Sequence, residues 1–303
     1  MKIAYIILAH TDPAHIARLS KKLTVGTQHE VFLHIDKKAD LSPFEQLLKG
    51  AERVHFVSPR TKVNWGGFSS VEATVKSFRF ADEMADFDRF VLLQGLDYPI
   101  RSNTQITDFF ERHKETEFIR AVNETHLNGR NKYKYCLYWN KDGKSLLSKA
   151  GTLFNQLLIK LKLVLPFKPL SVASNGADYD VYSGWAHFAI TRSAVRYILD
   201  FYDSNPQFNR YFKSSFASDE AYFHTVLYNS PFALSTPEGG PLEQPQPSEL
   251  LNVLYFEYPY YVKLFTKASE YPTLKNSGYL FFRKASSESE ELLDIIDNEH
   301  GEV

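Results

Sequence analysis

Residues 90–100 read "FVLLQGLDYPI". The apolar residues are consecutive rather than alternating, which is the pattern of a strand buried on both faces. Gly95 ends the run, and the turn that follows carries one carboxylate, Asp97. Upstream, the chain alternates in the same style. "KIAYIIL" (2–8), "EVFLHID" (30–36), "RVHFVS" (53–58) and "RFVLLQG" (89–95) predict strands. Between them, "DPAHIARLSKKL" (12–23), "SPFEQLLKG" (42–50) and "GFSSVEATVKSFRFADEMA" (67–85) predict helices. Pro13 near a helix start, Ser42 as a cap and Gly50 as a stop support these boundaries. Strand and helix in alternation predict an α/β fold with a mostly parallel central sheet flanked by helices. In such sheets ligands bind beyond the carboxyl ends of the strands. Three segments stand there: His34-Ile35-Asp36, Asn64-Trp65-Gly66-Gly67 and Gln94-Gly95-Leu96-Asp97.

Downstream the character changes. Between Asn128 and Pro169 there are nine Lys or Arg and one acidic residue, Asp142. Regular patterning resumes at "YSGWAHFAITRSAVRYILDFY" (182–202), a strand and then a helix. "SDEAYFHTVLYN" (218–229) predicts another helix, "STPEGGPLEQPQPSE" (235–249) a loop, and "SSESEELLDIIDNEH" (286–300) an acidic terminal helix.

The 303 residues carry 44% hydrophobic and 23% charged side chains, the composition of an ordinary globular protein large enough for a substantial core. A formal net charge of −1 gives no reason to expect nucleic acid as a partner. Cys136 is the sole cysteine, so no intrachain disulfide forms and a reducing compartment is expected. The apolar run at the N-terminus is too short for a signal sequence, and no stretch reaches the length of a membrane span. A cytoplasmic location is the expectation.

Several groups of residues have chemical potential. In "FASDEAYFHTVL", Ser218 or Asp219 can cap a helix whose first turn holds Glu220. A carboxylate there can act as a general base, but acidic residues also favour helix starts for the dipole alone. Gly66 and Gly67 permit close backbone approach to a ligand, and the helix start after them suits an anion; a simple loop explains them as well. His34 and Asp36 share one side of a strand end, too few for a metal site without further ligands nearby in sequence. Trp185 and His187 have the same spacing, and Trp185 suits either a sugar ring or the core. Arg283 and Lys284 can face a phosphate group or simply water. No Walker loop and no GxGxxG is present, so ATP and dinucleotide chemistry gain no support.

The blocks "VFLHIDKKAD", "NWGGFSSVEATVKSF", "FVLLQGLDYPIRSN", "YSGWAHFAITRSAVRYIL", "ASDEAYF" and "LFFRKAS" occur in the order found in a known family. In them the chain resembles the core-2/I-branching β-1,6-N-acetylglucosaminyltransferases, glycosyltransferase family 14, which also includes the peptide O-xylosyltransferases. The resemblance implies a GT-A fold in one domain, 1–303. Its parts would be a nucleotide-sugar half (1–122), a basic apolar insert (123–178), and an acceptor and catalytic half with the C-terminal tail (179–303). It implies an inverting transferase that uses a UDP-sugar, typically UDP-N-acetylglucosamine, and needs no metal or other cofactor. Glu220 matches the family's catalytic base. Lys284 matches its C-terminal lysine, which offsets diphosphate charge in place of a cation. His34 and Asp36 match positions near the uridine and ribose. Trp65 and Asp97 fall in donor blocks, and Ser183, Trp185 and Asp219 in acceptor blocks. The family's second cation, an upstream Arg, has Leu254 or Tyr260 at its place here, with Lys263 or Arg283 as substitutes. The animal members carry a membrane anchor and disulfides that this chain lacks, which points to a bacterial enzyme of surface or exported polysaccharide synthesis. UDP-xylose or UDP-glucuronate as donor, or a non-catalytic glycan- or nucleotide-binding module, are the competing readings.

The segment from Lys141 to Lys168 has the composition of a helix resting on an anionic membrane, at the inner face of the cell membrane. Lys160, Lys162 and Lys168 would then meet headgroups, and Leu157, Leu158, Leu161 and Leu165 would dip inward. An amphipathic helix packed on the domain fits the same pattern.

Overall fold

The computed structural model describes residues 1–126, 131–143, 146–161, 167–258 and 261–301. In chain order the first half runs β1 (Ile3–Ala9), α1 (Pro13–Thr24), β2 (Glu30–Ile35), α2 (Ser42–Leu47), β3 (Val54–Phe56), α3 (Ser69–Met84), β4 (Arg89–Gln94), β5 (Asp97–Pro99) and α4 (Asn103–Arg112). Then come β6 (Val122–Asn123), α5 (Lys132–Cys136), α6 (Leu146–Lys160), β7 (Ser171–Ser174), β8 (Ala177–Asp180), β9 (Tyr182–Ser183), β10 (Phe188–Thr191), α7 (Arg192–Ser204) and α8 (Pro206–Lys213). A 3₁₀ turn (Ser218–Glu220), α9 (Tyr222–Tyr228), β11 (Leu254–Phe256), α10 (Tyr271–Asn276), β12 (Phe281–Arg283) and α11 (Glu290–His300) complete the chain.

The central sheet has the order β10-β4-β1-β2-β3. β1 to β4 are parallel, and β10 joins the edge antiparallel to β4. Side chains alternate across a strand, and β1 is apolar at every position, so each face of the sheet gains a core. Ile3, Tyr5 and Ile7 pack with residues of α1, α4 and α11; Ala4 and Ile6 pack with residues of α3, α7 and α9. A small second sheet, β11-β12-β5, stands at the carboxyl end of β4. In it Arg283 pairs with Asp97 in register.

The starts of α1 and α4 are held by their own caps, whereas Ser42 does not cap α2, whose N-cap position is Leu41 with no side-chain cap bond. Asp12 accepts from His15 N at 3.1 Å, and Ser102 and Gln105 close a capping box on α4. The helix expected over 218–229 divides. Ser218 to Glu220 form a 3₁₀ turn and the α-helix starts only at Tyr222. Ser218 does not cap it, because its hydroxyl donates to Phe212 O at 2.8 Å. Glu220 therefore stands in a tight turn, not in the first turn of an α-helix.

Lys168 corrects another expectation. It is only 7% exposed, and its ammonium donates to Tyr211 O, Ser214 Oγ and Ser215 Oγ at 2.9–3.0 Å. Burial pulls its pKa down to about 7. It faces inward and cannot meet a headgroup. Lys162 and Leu165 lie outside the described residues. Among the described residues, no helix is long and apolar enough to cross a membrane.

Candidate active site

Three backbone hydrogen bonds gather the site around Glu220. Ala217 N donates to Gly66 O at 2.9 Å, Phe216 N to Lys134 O at 2.8 Å, and Gly184 N to Glu220 O at 2.9 Å. The turn carrying Glu220 is thus tied to the Trp65 loop, to α5 and to the segment after β9. Ala217 enters this turn with φ 52°, in the left-handed region. Gly184 is required at its position, since a Cβ would lie 2.1 Å from Arg120 O and 2.7 Å from His224 Nε2.

Glu220 retains access to solvent, with 29% of its side chain exposed, and its Oε2 accepts from Lys134 Nζ at 2.6 Å. Burial lowers the Lys134 pKa, but the charge and hydrogen bond of Glu220 outweigh it, leaving that pKa above the ordinary lysine value. The neighbouring Asp219 is pushed up to about 6, by burial first and by the Glu220 charge second. Beneath them Glu124 is fully buried and accepts from Ser183 Oγ at 2.5 Å and Asn131 Nδ2 at 2.9 Å. Ser183 is therefore fixed by a buried carboxylate. Trp65 is 82% exposed, its ring edge-to-face with Phe216. The Lys141 ammonium lies 4.9–5.7 Å from the ring centres of Phe216, Trp139 and Trp65.

The glycine pair approaches its own chain rather than a ligand. A Cβ on Gly66 would lie 2.4 Å from Phe216, and one on Gly67 would lie 2.4 Å from Asp142 Oδ1. The start of α3 holds an internal anion: Asp142 accepts from Ser69 N at 3.1 Å, Ser69 Oγ at 2.6 Å and Asn64 Nδ2 at 3.0 Å. The expected anion site is filled by the one acidic residue of the basic segment.

The donor-block residues divide into buried supports and surface groups. His34 is fully buried, its Nε2 accepting from Thr61 N at 2.8 Å, and burial lowers its pKa to about 4. Asp36 accepts from Lys38 N at 2.9 Å and Val63 N at 3.3 Å. Both side chains hold the 60–63 loop in place. Beside them, residues including Ile35, Lys37, Leu41, Phe56 and Arg60 line a recess of about 330 Å³ at the carboxyl ends of β2 and β3. Asp97 is fully buried, bonded to Gln94 N at 2.6 Å and Arg283 Nη1 at 2.7 Å, with His187 Nε2 at 3.6 Å. Among the described residues, no three His, Cys, Asp or Glu side chains gather as they would around a metal ion.

The C-terminal cations differ in what holds them. Arg283 is taken by Asp97, and Lys263 by Glu257 and Glu270 at 3.1 and 2.9 Å. Lys284 is partly exposed and has no carboxylate within ion-pair distance among the described residues. Burial and the adjacent Arg283 hold its pKa below the ordinary lysine value. Ala285 N donates to Leu96 O at 2.8 Å, which fixes Lys284 beside the turn after β4. Leu254 is buried in β11, and Tyr260 lies outside the described residues. The Trp185 indole donates to Pro247 O at 3.0 Å, with its ring against Phe256. The roles of Lys134, Glu124 and Asp142 were not expected from the sequence, because each rests on partners far along the chain: Glu220, Ser183 and Ser69.

Residues 3–236 match the family described as "Branch: Core-2/I-Branching enzyme". Lys263, Arg283 and Lys284 lie beyond the matched span. Human xylosyltransferase 2 is 26% identical over 240 residues, covering 76% of this chain and 25% of the relative. Mouse xylosyltransferase 1 is 25% identical over 236 residues, covering 76% of this chain and 23% of the relative. The chain thus spans about a quarter of the length of these curated relatives. With its matched span containing both the central sheet and the Glu220 turn, the chain belongs to the Core-2/I-Branching enzyme family of glycosyltransferases.

Proposed function

We propose that the protein transfers a sugar from a UDP-sugar to a glycan hydroxyl with inversion, on a GT-A fold, with Glu220 as general base. The observation that carries this reading is the Glu220 carboxylate. It is reachable from solvent, held by Lys134, and carried on a turn whose backbone bonds join it to the loop of the exposed Trp65 and to Gly184, next to the Ser183–Glu124 pair. Glu220 takes the proton of the acceptor hydroxyl as that oxygen bonds to the anomeric carbon. The bond from that carbon to the diphosphate breaks on the opposite side, and its electron pair leaves with UDP. A single displacement needs no enzyme nucleophile, and so one base suffices.

The uridine half of the donor is assigned to the recess lined by Ile35, Lys37 and Arg60. Lys284 is assigned to the charge that develops on the departing diphosphate, where a preorganised cation has its largest effect. A metal-independent reaction is favoured by the disposition of Asp97. The carboxylate at the strand end is buried and spent on Arg283. N-acetylglucosamine is the proposed sugar; the xylosyltransferase relatives favour xylose as the second reading. UDP-glucuronate is a third donor to include. We place the reaction in bacterial surface or exported polysaccharide synthesis, on the cytoplasmic side.

The test is UDP release from UDP-N-acetylglucosamine, UDP-xylose and UDP-glucuronate in EDTA, wild type beside Glu220→Gln. Release from one donor that persists in EDTA and collapses in the variant is expected. A requirement for added Mg²⁺ or Mn²⁺ would remove the role given to Lys284. Binding of UDP with no release in the presence of glycan acceptors would instead favour a binding module.

A further inference from the structure

The α6 region is apolar on both sides. Its inner side is used: Asn155 Nδ2 donates to Tyr138 O at 2.9 Å, and Ile159 packs on Cys136, Leu137 and Trp139. Its outer side is not. Leu153, Phe154 and Leu157, with Leu161 one turn beyond, share one face of the helix. With Tyr138 and Phe167 nearby, these side chains are 49–66% exposed. Among the described residues these six make up nearly half of the large apolar side chains that stand exposed. A cluster of this kind marks a contact surface rather than scattered surface residues.

Along the chain, this segment carries charge of one sign. The segment 128–169 holds nine of the chain's 35 Lys and Arg but one of its 36 acidic residues, and of the nine Lys168 is turned inward and Lys134 is paired with Glu220. That one, Asp142, is turned inward onto Ser69 and Asn64. Lys132 and Lys160 are exposed. A second copy of the chain placed on this face would set lysine against lysine, so charge complementarity selects an anionic partner. At 15 residues α6 is about 22 Å long and cannot cross a bilayer of about 30 Å.

We propose that the outer face of α6, with Phe167 and Tyr138, docks in the plane of an anionic lipid surface, its leucines in the acyl boundary and Lys160 at the headgroups. The docked face is tied to the α5 segment: Phe167 N donates to Cys136 O at 3.0 Å. The proposal does not depend on the sugar-transfer reading, and its readout is independent of catalysis.

The experiment is co-sedimentation of the full chain with vesicles of phosphatidylcholine alone and of phosphatidylcholine mixed with phosphatidylglycerol. The chain is expected to pellet with the mixed vesicles and at least about fivefold less with the neutral ones. Leu153→Ser/Leu157→Ser changes only exposed side chains, so it should keep the melting temperature and lose pelleting. Phe154→Trp should show an indole emission shifted to the blue on the mixed vesicles. Failure to pellet with mixed vesicles overturns the proposal, as does pelleting unchanged by the double substitution. A dimer seen without lipid and dissolved by Leu153→Ser/Leu157→Ser would also overturn it, since a second copy would then cover the face.

Discussion

The ammonium of Lys134 lies 2.6 Å from the carboxylate of Glu220, across 86 residues of sequence. The two are brought together by the backbone bond from Phe216 N to Lys134 O, so the contact is built by the fold rather than found by two mobile side chains. With Glu220 as the proposed base, Lys134 would act through it as a positioning residue. Lys134→Met should lower kcat by about tenfold or more, and Lys134→Arg should recover part of it. A structural role alone would change stability in both variants without separating their kcat values. Steady-state kinetics beside thermal melts of both variants checks this.

Asp219 gives the turn a pH signature. Its carboxyl is raised from 3.8 to about 6, by burial first and Glu220 second. An acid with a raised folded pKa binds more protons folded than unfolded between those values, so its contribution to stability falls as pH rises through that window. Asp219→Asn should differ little from wild type at pH 4 and be more stable at pH 7 by about 1–2 kcal/mol. Urea melts at both pH values measure it. A gap that narrows with rising pH would contradict the sign.

The parts of the fold legible in the sequence are those where burial sets the pattern. β1, β2 and β4 read as strands because their residues are apolar at successive positions, and both faces of the sheet are covered. The block holding Glu220 was legible, but not its 3₁₀ geometry. Helix pattern in 222–228 extends backward over residues whose path is fixed by Gly66, Phe212 and Gly184. Gly66 and Gly67 announced close approach without naming the partner, which is Phe216 and Asp142. Lys168 misled because periodicity assigns faces only within a helix. It lies beyond α6, where its backbone bond to Cys136 O turns it inward.

Asp97 and Arg283 should behave as a buried pair. They are register partners in β5 and β12, and the Asp97 side chain has no exposure. Removing one partner leaves the other charge buried and unpaired, at a cost of about 3–5 kcal/mol. Arg283→Met alone should therefore destabilise strongly. Arg283→Met combined with Asp97→Asn should be less destabilised than the sum of the two single variants, as read by chemical denaturation. Additive losses would mean that the pair is not coupled.

Gly67 and Asp142 should be coupled more sharply still. Asp142 caps α3 through Ser69 N and Ser69 Oγ, and Asp142→Ala should cost about 1–2 kcal/mol, as loss of a cap does. Gly67→Ala would place a Cβ 2.4 Å from Asp142 Oδ1, so it must displace the same carboxylate. Gly67 does not have a positive φ, and alanine brings no backbone strain of its own there. In the Asp142→Ala background the obstructing oxygen is gone, and Gly67→Ala should then be nearly neutral. A double-mutant cycle by urea denaturation would show an interaction energy of about 1 kcal/mol or more. If Gly67→Ala costs the same in both backgrounds, the glycine is needed for something other than Asp142, and the assignment of this carboxylate as the α3 cap loses its independent support.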